Sequence, residues 1–382
     1  MSILYADYNA TTPLDLEVRA AMADALGACF GNPSSIHRAG QEARRLVERA
    51  RAQVAGLVGA EPDEMVFTSG GTESDNLAVL GALAAAPAGR SGVVTSAIEH
   101  HAVLEPCAHW RGQGHAVTFV GVDGEGRLDL CALEAAAGSH IALISVMLAN
   151  NDTGVIQPVV EVARTAAACG SLVHSDAVQA AGKLPIDVKK LGVSLLSFSS
   201  HKLHGPKGAG ALYLRRGVAI APRMHGGRQE RTLRPGTENV PAIVGFGKAC
   251  EMAHLHLAAD GRRAAELRDL FETEILARVP GTRINGVGAG RLANTSNVAF
   301  AGLDGEALAI NLDMLGMAVS TGAACSAADK TPSHVLLAMG QSEAEARSSV
   351  RFSFGRETTL EEIDRAVALV LQAVTFLRGA RP

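Results

Sequence analysis

The chain has 382 residues, 47% of them hydrophobic and 19% charged, with a formal net charge of −4. That composition excludes a disordered chain, and the small negative charge gives no general pull toward nucleic acid or an anionic membrane. The length exceeds one ordinary core and predicts two domains. The N-terminal Met-Ser-Ile-Leu-Tyr-Ala-Asp lacks the basic region and apolar run of a signal peptide, and no apolar stretch reaches bilayer length. Six cysteines (Cys29, Cys107, Cys131, Cys169, Cys250 and Cys325) are scattered without a C-x-x-C pair. Such spacing argues against a disulfide framework or a structural zinc site and fits a reducing compartment. A cytoplasmic protein is expected.

In chain order, residues 16–29 and 39–58 carry apolar positions at helical spacing. Residues 64–68 read as a short strand and 72–86 as a helix. The turn between them, Phe67-Thr-Ser-Gly-Gly-Thr-Glu-Ser-Asp-Asn76, has two glycines that admit an anion to the backbone. Thr72 adds a hydroxyl at the helix start. The spacing is neither that of a dinucleotide fingerprint nor of a Walker loop. A plain glycine turn capped by Thr72 is the alternative.

Residues 92–96 read as a strand, followed by Ser96-Ala-Ile-Glu-His-His-Ala-Val-Leu104 and a helix over 102–111. A histidine there can stack on a flat cofactor or move protons. Adjacent histidines diverge on a regular element, which argues against a metal site at Glu99, His100 and His101. Strands follow at 116–122 and 141–146. After the second comes Leu148-Ala-Asn-Asn-Asp-Thr-Gly-Val-Ile156, whose asparagines suit a ring hydroxyl or a carboxylate, or else a polar turn.

A helix over 159–168 leads to a strand at 172–174 and to Asp176 in His174-Ser-Asp-Ala-Val-Gln-Ala180. A carboxylate beside a pyridine nitrogen keeps that nitrogen protonated, and Gln179 lies three residues on. Asp176 as a helix cap is the plainer reading. The strand at 193–199 ends in Leu196-Ser-Phe-Ser-Ser-His-Lys-Leu-His-Gly-Pro-Lys-Gly208. Lys202 thus falls at the C-terminal edge of an α/β sheet, where ligands bind. A partly desolvated lysine there can form a Schiff base. A surface lysine in a glycine-rich turn competes with that reading.

Residues 240–278 have a helical pattern and mark the exit from the first domain. Beyond them lie strands at 294–300 and 350–354 and helices starting at Gly305 and Leu360, a smaller α+β unit. Arg351 alternates with Val350 and Phe352 and suits a substrate carboxylate or a structural ion pair. The small residues from Gly322 to Ala328 pack a core poorly and predict a mobile loop, on which Cys325 is exposed and reactive. The other five cysteines lie in or beside helical patterns and read as small buried hydrophobes.

In order and spacing, these motifs resemble the NifS/IscS-type cysteine desulfurases. These are pyridoxal phosphate enzymes of the class V aminotransferases, with the aspartate-aminotransferase fold (fold type I). Further matches are Tyr8-Asn-Ala-Thr-Thr-Pro13, Gly31-Asn-Pro-Ser-Ser35, Gly226-Gly-Arg-Gln-Glu230, Arg234-Pro-Gly-Thr-Glu-Asn239 and Ala324-Cys-Ser326. The resemblance implies a large domain over 15–257 with a mainly parallel seven-stranded sheet. It implies a small α+β domain from 1–14 and 258–382 that carries the cysteine loop.

It further implies that Lys202 is the Schiff-base lysine, that His100 stacks on the cofactor ring and that Asp176 faces the ring nitrogen. Gln179 and Asn151 face the ring hydroxyl. Gly71, Thr72, Ser199 and His201 hold the phosphate, and Thr237 reaches the phosphate of a neighbouring subunit in a homodimer. Arg351, with Asn151, binds the carboxylate of L-cysteine. Cys325 is the nucleophile that takes the sulfur, and a transient cluster or persulfide ligand shared with a NifU/IscU-like iron–sulfur scaffold protein.

The segments around Gly226 and Arg234 and the short tail align the chain with the nitrogen-fixation branch. Tyr8 stands where asparagine is common, and Asp152 where glutamate is. Ala323 replaces the serine two before the cysteine. A selenocysteine lyase, a small aminotransferase and a non-enzymatic scaffold on the same fold are the rival readings.

Overall fold

The structure is a computed structural model that describes residues 3–321 and 331–379. The chain opens with strand β1 (Leu4–Tyr5) and two helices, α1 (Leu16–Ala28) and α2 (Arg38–Val58). On α2, Ala43, Val47, Ala50, Val54 and Val58 recur at helical spacing and are all buried. The helix stops at Gly59, whose φ of 70° is the left-handed cap.

Strands and helices then alternate: β2 (Met65–Thr68), α3 (Gly71–Ala84), β3 (Gly92–Ser96), α4 (His101–Gly112), β4 (Val117–Val120), α5 (Leu130–Ala136) and β5 (Ile141–Ser145). They continue with α6 (Val159–Cys169), β6 (Leu172–Asp176), α7 (Val188–Leu191), β7 (Leu195–Ser199) and β8 (Gly210–Leu214). These form a seven-stranded sheet in the order β2-β8-β7-β6-β5-β3-β4. Only β8 opposes its neighbours; β2 regains the direction of β7 by pairing antiparallel to it. Strands β5 and β7 are buried along their whole length because helices cover both faces.

The predicted sheet is therefore present, with one strand more than the sequence pattern separated. The Gly-Ala-Leu-Tyr-Leu run of β8 lies between glycine turns. The strand predicted over 116–122 is shorter, and its last residue makes an isolated bridge to Leu128.

Helix α8 (Val240–Arg278) joins two cores. Its first half, including Phe246 and Cys250, packs with the sheet and α2. Its second half contributes Leu267, Phe271 and Ile275 to another core with β10 and β12. That core holds β9 (Thr282–Ile284), β10 (Thr295–Phe300), α9 (Gly305–Met314), β11 (Met317–Ala318), β12 (Ser349–Ser353) and α12 (Leu360–Gly379). The short helices α10 (His334–Ala338) and α11 (Glu343–Arg347) precede β12.

Strands β9, β10 and β12 form an antiparallel sheet, and β1 pairs with β11. Phe271 lies with its ring 4.8 Å from Phe352 and 5.3 Å from Phe354. The N-terminal strand thus belongs to the C-terminal core, since Leu4 and Ala6 are buried in it.

Among the described cysteines, Cys107 and Cys250 are buried as expected. Cys131 is exposed, and Cys29 and Cys169 are half-buried, contrary to the expectation of small core residues. The reason at Cys131 is that α5 is short and buries only Leu133. No helix among the described residues is long and apolar enough to cross a membrane.

Candidate active site

Six strands of the large sheet run one way, so their C-terminal ends form one edge. The turns after β2, β3, β5, β6 and β7 line a cleft of about 350 Å³ there. Gly71, Thr72, His100, Asn151, Asp176, Gln179, Ser199, His201, Lys202 and Arg351 all line it. Thr237 does not; it is exposed on the loop before α8. Cys325 lies outside the described residues.

Lys202 ends a single 3-10 turn, Ser200–Lys202, that closes β7. The turn folds back tightly: a Cβ at Gly205 would lie 2.0 Å from Ser200 Oγ. The N-terminal segment laps over it, with Thr12 N–H donating to His201 O at 3.0 Å. Lys202 Nζ donates to Asn9 O at 2.5 Å and to Ala10 O at 2.8 Å. The half-buried amine is thus held at the sheet edge by two carbonyls.

Asp176 is the last residue of β6 and is 5% exposed. One carboxylate oxygen accepts from Val178 N–H at 2.8 Å in a turn; no helix starts there, so the helix-cap reading does not hold. Burial, then the nearby Asp75, raise its pKa to about 7. Asp75 on α3 is raised to about 7 by burial as well. The neutral His174 beside them, lowered to about 4 by burial, bridges Ser145 and Ser197. This pair of buried carboxylates is short of positive charge.

His100 caps α4: its Nδ1 accepts from Ala102 N–H at 3.1 Å. Burial, with Lys202 nearby, lowers its pKa to about 4. The ring is therefore neutral at pH 7 with its proton on Nε2. His101 next to it is exposed.

Gly71 and Thr72 begin α3, whose first turn presents unpaired N–H groups. Two close approaches keep this turn free of side chains. A Cβ at Gly71 would lie 2.6 Å from Val178 Cγ2, and one at Gly210 would lie 2.5 Å from Gly70 Cα. Facing the turn, Ser199 Oγ is buried and has no hydrogen-bond partner among the described residues. His201 Nδ1 pairs with Thr11 Oγ1 at 3.1 Å, and burial lowers its pKa to about 4.

Arg351 approaches from β12. Its Nη2 donates to Asp7 Oδ1 at 2.8 Å and its Nη1 to Asn151 O at 3.1 Å, while its buried Nε has no partner among the described residues. Asn151 Nδ2 donates to Asp152 Oδ1 at 2.8 Å. Asp152 Oδ2 in turn accepts from Ser333 Oγ at 2.6 Å. The structural ion pair and the cleft-lining position thus coexist at Arg351.

Sequence reasoning gave no role to Asn9, Ala10, Asp75, Met147 and Lys183. The first four line the cleft, and Lys183 sits behind it. Asn9 belongs to a segment already singled out by its motif, so a signal existed there. Lys183 carried none.

The donor set fits pyridoxal phosphate. An unpartnered serine hydroxyl and a bare helix start suit a phosphate, and Asp176 suits a protonated pyridine nitrogen.

A sheet edge that gathers a held lysine, a neutral histidine, a buried carboxylate and an anion cradle defines an α/β enzyme. The aminotransferase class-V family model matches residues 4–366. A relative named "Cysteine desulfurase 2" from Trichormus variabilis is 45% identical over 382 residues, 100% of this chain and 96% of that protein. The solved structure "NIFS-LIKE PROTEIN" has a TM-score of 0.92 at 38% identity, covering 99% of this chain and 100% of that one. Another, "SspA in complex with cysteine", has a TM-score of 0.82 at 34% identity, covering 93% and 99%. The chain belongs to the class-V aminotransferase family.

Proposed function

We propose that the chain is a pyridoxal phosphate-dependent cysteine desulfurase. It converts L-cysteine to L-alanine and passes the sulfur to its own Cys325. The observation that carries this reading is the convergence of Lys202, His100, Asp176 and Arg351 on one cleft from four different elements.

Lys202 would hold the cofactor's aldehyde carbon, with Asp176 at the ring nitrogen, His100 against the ring face and Gln179 and Asn151 on the hydroxyl side. Gly71, Thr72, Ser199 and His201 would hold the phosphate. When bound, the group supplies an electron sink for charge developing at the substrate Cα.

The chain's own residues do the rest. Arg351 Nε and Asn151 bind the substrate carboxylate and fix the Cα–H bond toward Lys202. The Lys202 amine takes that proton and returns it. The neutral His100 presents Nε2–H to the reacting side. Asp176 holds a proton at the far side of the ring.

The Cys325 thiolate attacks the substrate sulfur. The Cβ–S bond breaks and an S–S bond forms. L-cysteine plus thiol becomes L-alanine plus persulfide, which balances without an outside oxidant. The described residues flanking the 322–330 segment support this role. Ser320 pairs with the Arg351 backbone and Ser333 with Asp152, both on the carboxylate side of the cleft.

The remaining assignments follow the sequence. They are a division of the chain near residue 257 and a homodimer in which Thr237 serves the neighbouring site. They also include a cytoplasmic location and an iron–sulfur scaffold protein as acceptor, with nitrogenase maturation as the use that adjacent genes would test. Two substitutions test the core of the reading. Lys202→Ala is expected to abolish alanine production. Cys325→Ala is expected to bind L-cysteine, with a changed absorption spectrum, but to release no sulfide. Full sulfide production by Cys325→Ala would overturn the assignment.

A further inference from the structure

We propose that Lys183 is a positioning residue that fixes the amide orientation of Gln179 and Asn9, and through them the hydrogen-bond polarity of the cofactor's hydroxyl side. The inference rests on the reading that the cleft holds pyridoxal phosphate.

Lys183 lies four residues beyond Gln179 in a run of turns, behind the cleft. Its Nζ donates to Gln179 Oε1 at 2.9 Å and to Asn9 Oδ1 at 3.2 Å. An ammonium carries donors and no acceptor, so only an amide oxygen can face it. Both amides are therefore set. Gln179 must turn its Nε2 away from Lys183, and that nitrogen donates to Asn9 O at 2.9 Å. Nε2 has a second hydrogen, and Gln179 lines the cleft. A ring oxyanion on that side meets a donor rather than a carbonyl oxygen.

Asn9 is set in the same way. Asn294 Nδ2 also donates to its Oδ1, at 3.0 Å. Its Nδ2 consequently points to Thr295 Oγ1 at 2.9 Å and to Asn151 O at 3.2 Å. Asn9 O is also the seat of the Lys202 amine. One half-buried ammonium thus fixes a glutamine at the cofactor and the asparagine that holds the catalytic lysine. Burial lowers the Lys183 pKa to about 7, so the donor-only ammonium prevails below that pH, where the test is run.

The test compares Lys183→Met, which removes the donors, with Lys183→Arg, which keeps a donor-only group. A cavity of about 70 Å³ lined by Lys183 leaves room for the larger side chain. In the full chain without cofactor, the Gln179 side-chain amide resonance is followed, identified by its loss in Gln179→Ala. Lys183→Met should shift or broaden it, and Lys183→Arg should restore it.

In the loaded protein, the pyridoxal phosphate dissociation constant should rise about tenfold or more in Lys183→Met. The absorption maximum of the bound cofactor should move, and Lys183→Arg should stay within about threefold of the parent. An unchanged Gln179 resonance with parental affinity in Lys183→Met overturns the proposal. If Lys183→Met does not fold, Lys183→Arg decides: a displaced Gln179 resonance contradicts the clamp. A parent chain that takes up no pyridoxal phosphate sinks the functional reading, while the cofactor-free resonance still decides the clamp.

Discussion

Asp176 joins local sequence to chemistry in one side chain. It ends a buried strand, and burial with Asp75 alongside raises its pKa to about 7. In the unfolded chain it titrates near the ordinary ~3.9. A raised carboxylate contributes stability fully below the unfolded pKa and loses it as pH rises through the folded one. Asp176→Asn in the cofactor-free protein should therefore lose less stability than the parent between about pH 4 and pH 7. Urea midpoints at the two pH values measure this; an unchanged difference would contradict the burial argument.

Arg351 is held by Asp7 and the Asn151 carbonyl, with its buried Nε unpartnered among the described residues. A lysine there offers a point charge without the fork. Arg351→Lys should lower kcat/KM for L-cysteine by roughly 10- to 100-fold, mainly through KM, with cofactor uptake intact. Asp176 ends a strand and Lys202 and His100 fall just past one, so the sequence pattern indicated the sheet edge while leaving plainer readings open beside the chemical ones. Lys183 was not legible, and Asn9 stood out only as part of the Tyr8-Asn-Ala-Thr-Thr-Pro13 motif, with no role of its own. Their partners lie up to 286 residues away, and only the tertiary fold brings those groups together.

At the scale of elements, the segment between β8 and α8 is where backbone strain collects. Glu230, Arg231 and Thr232 have φ of 43°, 56° and 71°, a left-handed run without glycine. Its hold is a buried pair: Glu230 accepts two hydrogen bonds from Arg51, at 2.7 and 2.8 Å, and one from Phe67 N–H at 2.9 Å. Phe67 belongs to β2, the strand that leads into the Gly70-Gly71 turn. Glu230→Ala removes the buried partner of Arg51, which keeps only the exposed Glu48 at 3.3 Å and the Met65 carbonyl at 3.0 Å, and should cost about 3 kcal/mol in chemical denaturation. A loss below about 1 kcal/mol would mean the segment is held elsewhere.

The longer helices were legible from apolar spacing, as α2 shows; the short α5, α7, α10 and α11 were not. Strand β8 was not: Gly-Ala-Leu-Tyr-Leu is short, and only pairing between β2 and β7 makes it a strand. The two-residue β1 and β11 are equally silent in sequence, since their pairing is set by the packing of Leu4 and Met317 in the second core.

Across the whole molecule, the cleft stands where the two cores meet. The large sheet supplies the lysine, the histidine, the carboxylate and the anion cradle. Strand β12 of the second core supplies Arg351, and the N-terminal segment supplies Asn9 and Ala10. Helix α8 spans both cores, and Arg356 ties Asp15 to Asp260 across the seam at 3.2 and 2.6 Å. Sequence order alone indicated which residues belong together only through resemblance. The physical reason, a common sheet edge with a strand from another core laid against it, required the fold.

The most direct measurement is a single turnover of the loaded protein with L-cysteine and no reductant, reading alanine by chromatography and the Cys325 peptide by mass. The account predicts alanine up to one equivalent per chain and a matching gain of one sulfur atom on the Cys325 peptide. Alanine formed without sulfur on Cys325, or no alanine from a fully loaded protein, would contradict it.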